Sequence, residues 1–178
     1  MIELGRKQAL MVVKKTEFGV YLGTEDDKVL LPAKYADPDI EEGDSMTVFV
    51  YRDSKDRLIA TTLEPLITLG EVKPLKVKQL TKIGAFMDWG LEKDLLLPFS
   101  EQTSRVEEGR TYPVALYIDK SDRLCATTKI YPYLKTTDAY HTGDSVKGTA
   151  YEYIEKFGMF VAIDNMYQGL IPKKALYG

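Results

Sequence analysis

Ten residues written twice constrain this chain more than any other feature: Asp53-Ser-Lys-Asp-Arg57-Leu-Ile-Ala-Thr-Thr62 returns as Asp119-Lys-Ser-Asp-Arg123-Leu-Cys-Ala-Thr-Thr128. The same offset carries Leu31-Pro32 onto Leu97-Pro98 and Gly43 onto Gly109, while Gly19 maps to Gly84 with one residue fewer. One insertion between Gly84 and Leu96 accounts for the change. A third copy is present in part: Phe157-Gly-Met-Phe160-Val161 matches Ile83-Gly-Ala-Phe86-Met87, and Leu170-Ile-Pro172 matches Leu96-Leu-Pro98. It ends before any equivalent of the Asp…Arg segment. A period of this kind means one small structural unit used repeatedly, here over residues 1–64, 65–130 and 131–178.

Within a copy, the segments 9–14, 18–23, 28–31, 46–51 and 58–62 are short, rich in Val, Leu, Ile, Tyr and Thr, and separated by turn residues, which is strand patterning. The polar run Asp53-Ser-Lys-Asp reads as a hairpin turn before the last strand. Helical periodicity is almost absent; single helical turns are expected at 40–42 and 101–108. Five strands with one helical turn predict an all-β chain of tandem five-stranded barrels of the OB-fold type, with the third barrel incomplete. Closure suits strands this short because it leaves no unpaired edge. A unit of about 60 residues buries only about 60% of its unfolded surface, so neighbouring barrels are expected to pack on one another.

Composition narrows function. One Cys and one His among 178 residues leave no material for a disulfide framework, a cysteine-rich zinc site or a Ser-His-Asp triad. His141 lies in a loop-like stretch and reads as an exposed spectator; Cys125 takes the place of Ile59 and reads as a small apolar strand residue. No cofactor is implied, and no enzyme. The first residues build no apolar run of signal-peptide length, and no run of 18 apolar residues exists, so a cytoplasmic protein is expected. Net charge is −3, which excludes a polycation that coats nucleic acid indiscriminately. The first copy holds 9 basic and 13 acidic residues, the second 10 and 9. Lys76 and Lys78 alternate with Leu75 and Val77, placing both on one face of a strand.

Aromatics are spaced three apart around a glycine: Phe18 with Tyr21, and Phe157 with Phe160. Strand alternation alone would send the two rings of a pair to opposite faces. A bulge at the glycine would bring them together as a platform on which bases stack. The second copy keeps Phe86 alone, and Trp89 is a candidate for the missing ring. The competing reading makes these rings core. Asp53/Arg57 and Asp119/Arg123 flank their turns and can meet across each hairpin. Each guanidinium then either contacts a base or phosphate, steered by the carboxylate, or forms a plain surface ion pair.

These spacings resemble the S1 RNA-binding motif, in which two aromatics around a glycine and a later Asp and Arg form the nucleic-acid face. Phe18, Tyr21, Asp53 and Arg57 match it in the first copy, Phe86, Asp119 and Arg123 in the second, and Phe157 and Phe160 in the third. Where that motif usually has a histidine, this chain has Pro32, Pro98 and Pro172. Over a longer span, the run from Gly84 to Gln102 and the run from Val50 to Thr62 resemble the bacterial conserved virulence factor B family. That resemblance implies tandem S1-type domains followed by a winged helix, with a role in RNA binding and regulation of gene expression. The expected partner is therefore single-stranded RNA, held by those rings with Arg57, Arg123, Lys76 and Lys78. The alternative is a protein-interaction scaffold of degenerate barrels. Exposed rings beside Lys or Arg favour RNA; buried rings on an acidic face favour the scaffold.

Overall fold

The apolar segments between Lys7 and Thr61 fold as five strands: β1 (Lys7–Thr16), β2 (Gly19–Gly23), β3 (Lys28–Pro32), β4 (Ser45–Arg52) and β5 (Leu58–Thr61). This is a computed structural model, describing residues 1–135, 145–154 and 158–172. The strands close in the order β1-β2-β3-β5-β4, sealed by a parallel pairing of Leu30 with Ile59. The second copy repeats this with β6 (Val72–Leu80), β7 (Gly84–Asp88), β8 (Leu95–Pro98), β9 (Thr111–Ile118) and β10 (Leu124–Thr127). Its ladder order is β10-β9-β6-β7-β8, the same cylinder opened between β8 and β10. The third copy forms a three-stranded meander of β11 (Gly148–Ile154), β12 (Gly158–Ile163) and β13 (Tyr167–Pro172).

Single 3₁₀ turns occur at Ala33–Tyr35 and Phe99–Glu101, directly after Pro32 and Pro98, rather than at 40–42 or across 101–108. The prolines explain the shift. Each is the last residue of its strand, paired with Gly19 or Gly84, and proline has no N–H with which to continue a ladder. The chain therefore turns at once. Pro172 closes the β12–β13 ladder opposite Gly158 in the same way.

Strand β4 shows how the units join. Its residues Val48, Phe49, Val50 and Tyr51 are all buried, although alternate residues face opposite sides. Val48 and Val50 fill barrel one, while Phe49 and Tyr51 join the core of barrel two beside Trp89 and Leu91. A continuous apolar run is what a strand buried on both faces requires. Strand β9 repeats the device: Val114 and Leu116 face the barrel-two core, and Ala115 packs with Ile130, Leu134 and Ala162 against the third unit. The third sheet is also held by Thr103 Oγ1, which donates to the Tyr151 carbonyl at 2.9 Å.

Two glycines are fixed by close approach rather than by a bulge. Gly19 and Gly84 have φ of +146° and +149°. A Cβ there would fall 2.0 Å from the Leu31 carbonyl oxygen and 2.3 Å from that of Leu97. Gly84→Ala is expected to destabilise the fold by at least about 2 kcal/mol, since strained φ and backbone overlap add; urea unfolding of the variant measures it. An unchanged midpoint would contradict this account.

Candidate nucleic-acid interface

Each unit carries one cross-strand row of outward side chains centred on the second ring of the aromatic pair. In barrel one, Lys14 of β1 stands opposite Tyr21 of β2, which stands opposite Leu30 of β3. The corresponding rows are Gln79–Phe86–Leu96 in barrel two and Glu152–Phe160–Leu170 in the third sheet. Residues directly opposite on a sheet have Cβ atoms about 5 Å apart, so the first member sets the charge beside the ring. That charge runs positive, neutral, negative. Lys28 holds its ammonium 5.9 Å from the centre of the Tyr21 ring.

The bulge that builds this row is not at the glycine. It lies on the partner strand, between Val12 and Lys14, and recurs between Val77 and Gln79 and between Ala150 and Glu152. Phe18 precedes β2 in a tight turn and is not bound by strand alternation. Its N–H is accepted by Thr16 Oγ1 at 3.2 Å, and that hydroxyl donates to the Gly19 carbonyl. Thr81, Ile83 and Gly84 repeat both bonds in barrel two, where Ile83 and Phe86 line one cavity. Phe18 is 70% exposed, whereas Tyr21 is half-buried.

The two Asp/Arg hairpins behave differently. In barrel one, Asp53 Oδ1 accepts the Lys55 and Arg57 amides, and Oδ2 accepts Arg57 Nε at 3.1 Å. Burial works to raise the Asp53 pKa, but these amide bonds and the guanidinium overcome it and hold the carboxyl below its usual range. In barrel two, Asp119 Oδ1 accepts the Ser121 and Arg123 amides in the same way. The Arg123 guanidinium, however, pairs with Asp56 of barrel one at 2.9 Å. Further bonds clasp the hairpins: Arg52 Nε donates to the Asp122 carbonyl at 2.8 Å, and Lys93 Nζ to the Asp53 carbonyl at 3.1 Å.

Trp89 corrects an expectation. It is 2% exposed and meets Phe49 and Tyr51 edge-on, at centroid distances of 5.7 and 6.0 Å. It joins the barrels and offers no open stacking face, because the outward side of β4 buries it. The lysines also divide. Lys76 stands opposite Asp88, but Lys78 is the residue the bulge skips, and it pairs with Asp94 at 3.2 Å. Gln79, not a lysine, therefore lies beside Phe86. Phe160 is half-buried against Tyr131 and Tyr151 at 5.7 and 6.3 Å. Phe157 and His141 lie outside the described residues. Lys14, Lys28 and Leu30 neighbour Tyr21 without being among the expected site residues; for Lys14 the reason is that a bulge has no compositional mark.

Little here suggests covalent chemistry. Cys125 is 3% exposed, and burial, followed by the Asp119 charge, pushes its thiol up to about 11, leaving it a poor nucleophile. Among the described residues no group of three or more His, Cys, Asp or Glu is placed to hold a metal ion. Among them, too, no helix is long and apolar enough to cross a membrane.

Comparison with known proteins bears on this geometry. The S1 domain family pattern matches residues 4–63 and again 69–129. A protein of Bacillus subtilis (strain 168), the uncharacterized YitL, is 35% identical over 94 residues, covering 52% of this chain and 32% of that protein. A solved structure, described as a multidomain protein with nucleic acid binding domains from Streptococcus pneumoniae TIGR4, superposes with a TM-score of 0.62. At 20% identity it covers 96% of this chain and 63% of its own, and shows a shared fold. The chain thus spans about a third of the curated relative and under two thirds of the solved one.

Proposed function

The chain belongs to the S1 domain family, and from that premise we propose that it is a non-enzymatic nucleic-acid-binding protein whose first barrel holds single-stranded RNA. One observation carries the reading: Phe18 is exposed, and Tyr21 sits in a row with Lys14 under the Lys28 ammonium. Flat rings take splayed bases, and neighbouring cations take the phosphates between them. Arg57, 69% exposed at its side chain and steered by Asp53, lies two residues before Ile59, which pairs with Leu30 of the same row. The nucleic acid binding domains named for the solved relative support the same reading. So does the similarity to the virulence factor B family, which extends it to regulation of gene expression in a bacterial cytoplasm. No cofactor is needed.

A second role is favoured in the third unit. Its row begins with Glu152, and its ring packs between Tyr131 and Tyr151. An acidic neighbour and occupied ring faces suit protein contact rather than RNA, so the scaffold reading is kept for that unit alone.

Fluorescence anisotropy with a labelled single-stranded RNA tests the proposal. With three cations on the barrel-one face, affinity should fall about tenfold to twentyfold between 50 and 200 mM salt. Absence of binding at the lower salt would refute the reading.

A further inference from the structure

A cavity of about 430 Å³ lies where the third unit meets barrel two. The β11 residues from Ala150 to Tyr153 line it, with Met159 of β12 and with Thr103 and Ser104 of barrel two. Thr103 Oγ1 donates to the Tyr151 carbonyl and ties the two units together there. Among the described residues of this lining Glu152 alone is charged. It forms no ion pair with another described residue. Burial, followed by the Glu152 charge, pushes the Tyr151 hydroxyl pKa up to about 12, so the carboxylate stands near that ring. Arg105 follows Ser104 but holds its guanidinium 4.4 Å from the centre of the Phe99 ring and takes no part in the lining.

A half-buried carboxylate without a counter-charge favours a ligand that brings one, and it repels phosphate. Tyr151, Tyr153 and Met159 give apolar walls along which the methylenes of a long basic side chain can lie. An aromatic ring also attracts the charged end, and Ser104 adds a hydroxyl acceptor. From the cavity an apolar row leads across the sheet: Tyr153 stands opposite Met159, which stands opposite Ile171. Its outer members are 36% and 38% exposed. A small free cation would leave that row in water, whereas a protein covers it. We propose that this cavity takes a lysine or arginine side chain of a partner protein, paired with Glu152 and flanked by apolar residues that continue along the row to Ile171. The inference rests on the protein-contact reading of the third unit and names the chemistry of the partner.

The probe is a short fluorescein-labelled peptide of serine and leucine with one central arginine, titrated with the full chain and read by anisotropy. A second peptide carries citrulline, which keeps the shape of arginine without its charge. Saturable binding of the arginine peptide is expected, at least about tenfold weaker for citrulline. Glu152→Gln should weaken the arginine peptide by about tenfold, with an unchanged melting curve because the side chain is only half-buried. Glu152→Lys should reverse the preference and take a peptide with central glutamate, which a merely structural role for Glu152 would not produce. Equal binding of the arginine and citrulline peptides would overturn this inference and leave protein contact by the third unit standing. Binding of neither peptide would overturn both. Spermidine binding as tightly as the arginine peptide would also overturn it, since the site would then serve a free cation. RNA binding by barrel one should be the same in both Glu152 variants as in the parent.

Discussion

Replacing Trp89 with alanine is expected to lower stability by roughly 3–5 kcal/mol, the range for truncating a large buried aromatic. Its indole is 2% exposed and meets Phe49 and Tyr51 edge-on, so the substitution empties the joint between barrels rather than the centre of either. Phe49 and Tyr51 keep their contacts with Leu91, while the polar ties there are largely exposed, such as Lys34 and Tyr35 with Glu92 and Arg123 with Asp56, and exposed ion pairs contribute at most about 1 kcal/mol each. Denaturant unfolding followed by circular dichroism should show a lower midpoint and two resolved steps, because each barrel keeps its own core but loses its neighbour. A single transition at the original midpoint would show that the joint does not couple the barrels.

Removing the barrel-one rings should have the largest effect on binding. Base stacking on an aromatic side chain contributes about 1–3 kcal/mol per base, so Phe18→Ala with Tyr21→Ala should weaken single-stranded RNA binding by at least about tenfold, measured by anisotropy at low salt. Stability should hardly change for Phe18, which is 70% exposed, so lost binding there cannot be ascribed to unfolding. Phe160→Ala should leave RNA affinity unchanged, since that ring is engaged with Tyr131 and Tyr151 beside Glu152. The reverse ranking, with Phe160 essential and Phe18 dispensable, would move the interface to the third unit and defeat the proposal.

Much of the fold was legible because the information is local and written repeatedly. The ten-residue repeat specified a hairpin twice, and the apolar segment 46–51 specified a strand, while its burial on both faces is visible only in the structure. Pro32 and Pro98 stand where the related motif has a histidine and also end β3 and β8, directly before the 3₁₀ turns that were expected at 40–42 and 101–108. The candidate site was legible in its residue types and only partly in its arrangement. Phe18 is exposed and Tyr21 half-buried, and the bulge beside Tyr21 lies across the ladder in β1 rather than at Gly19. A bulge shifts every later residue to the other face, and nothing in the composition of Val13 or Lys78 marks them as the residues to be skipped.

The amino-acid sequence alone thus determined the repeat, the strands within it and its Asp…Arg hairpin turn, since alternation and turn residues act over a few positions. Tertiary structure decided which charge stands beside each ring, that Trp89 faces a neighbouring barrel, and that Arg123 pairs with Asp56 instead of Asp119. Those outcomes depend on ladder register and on the contact between two barrels, and both are set by groups that lie far apart along the chain.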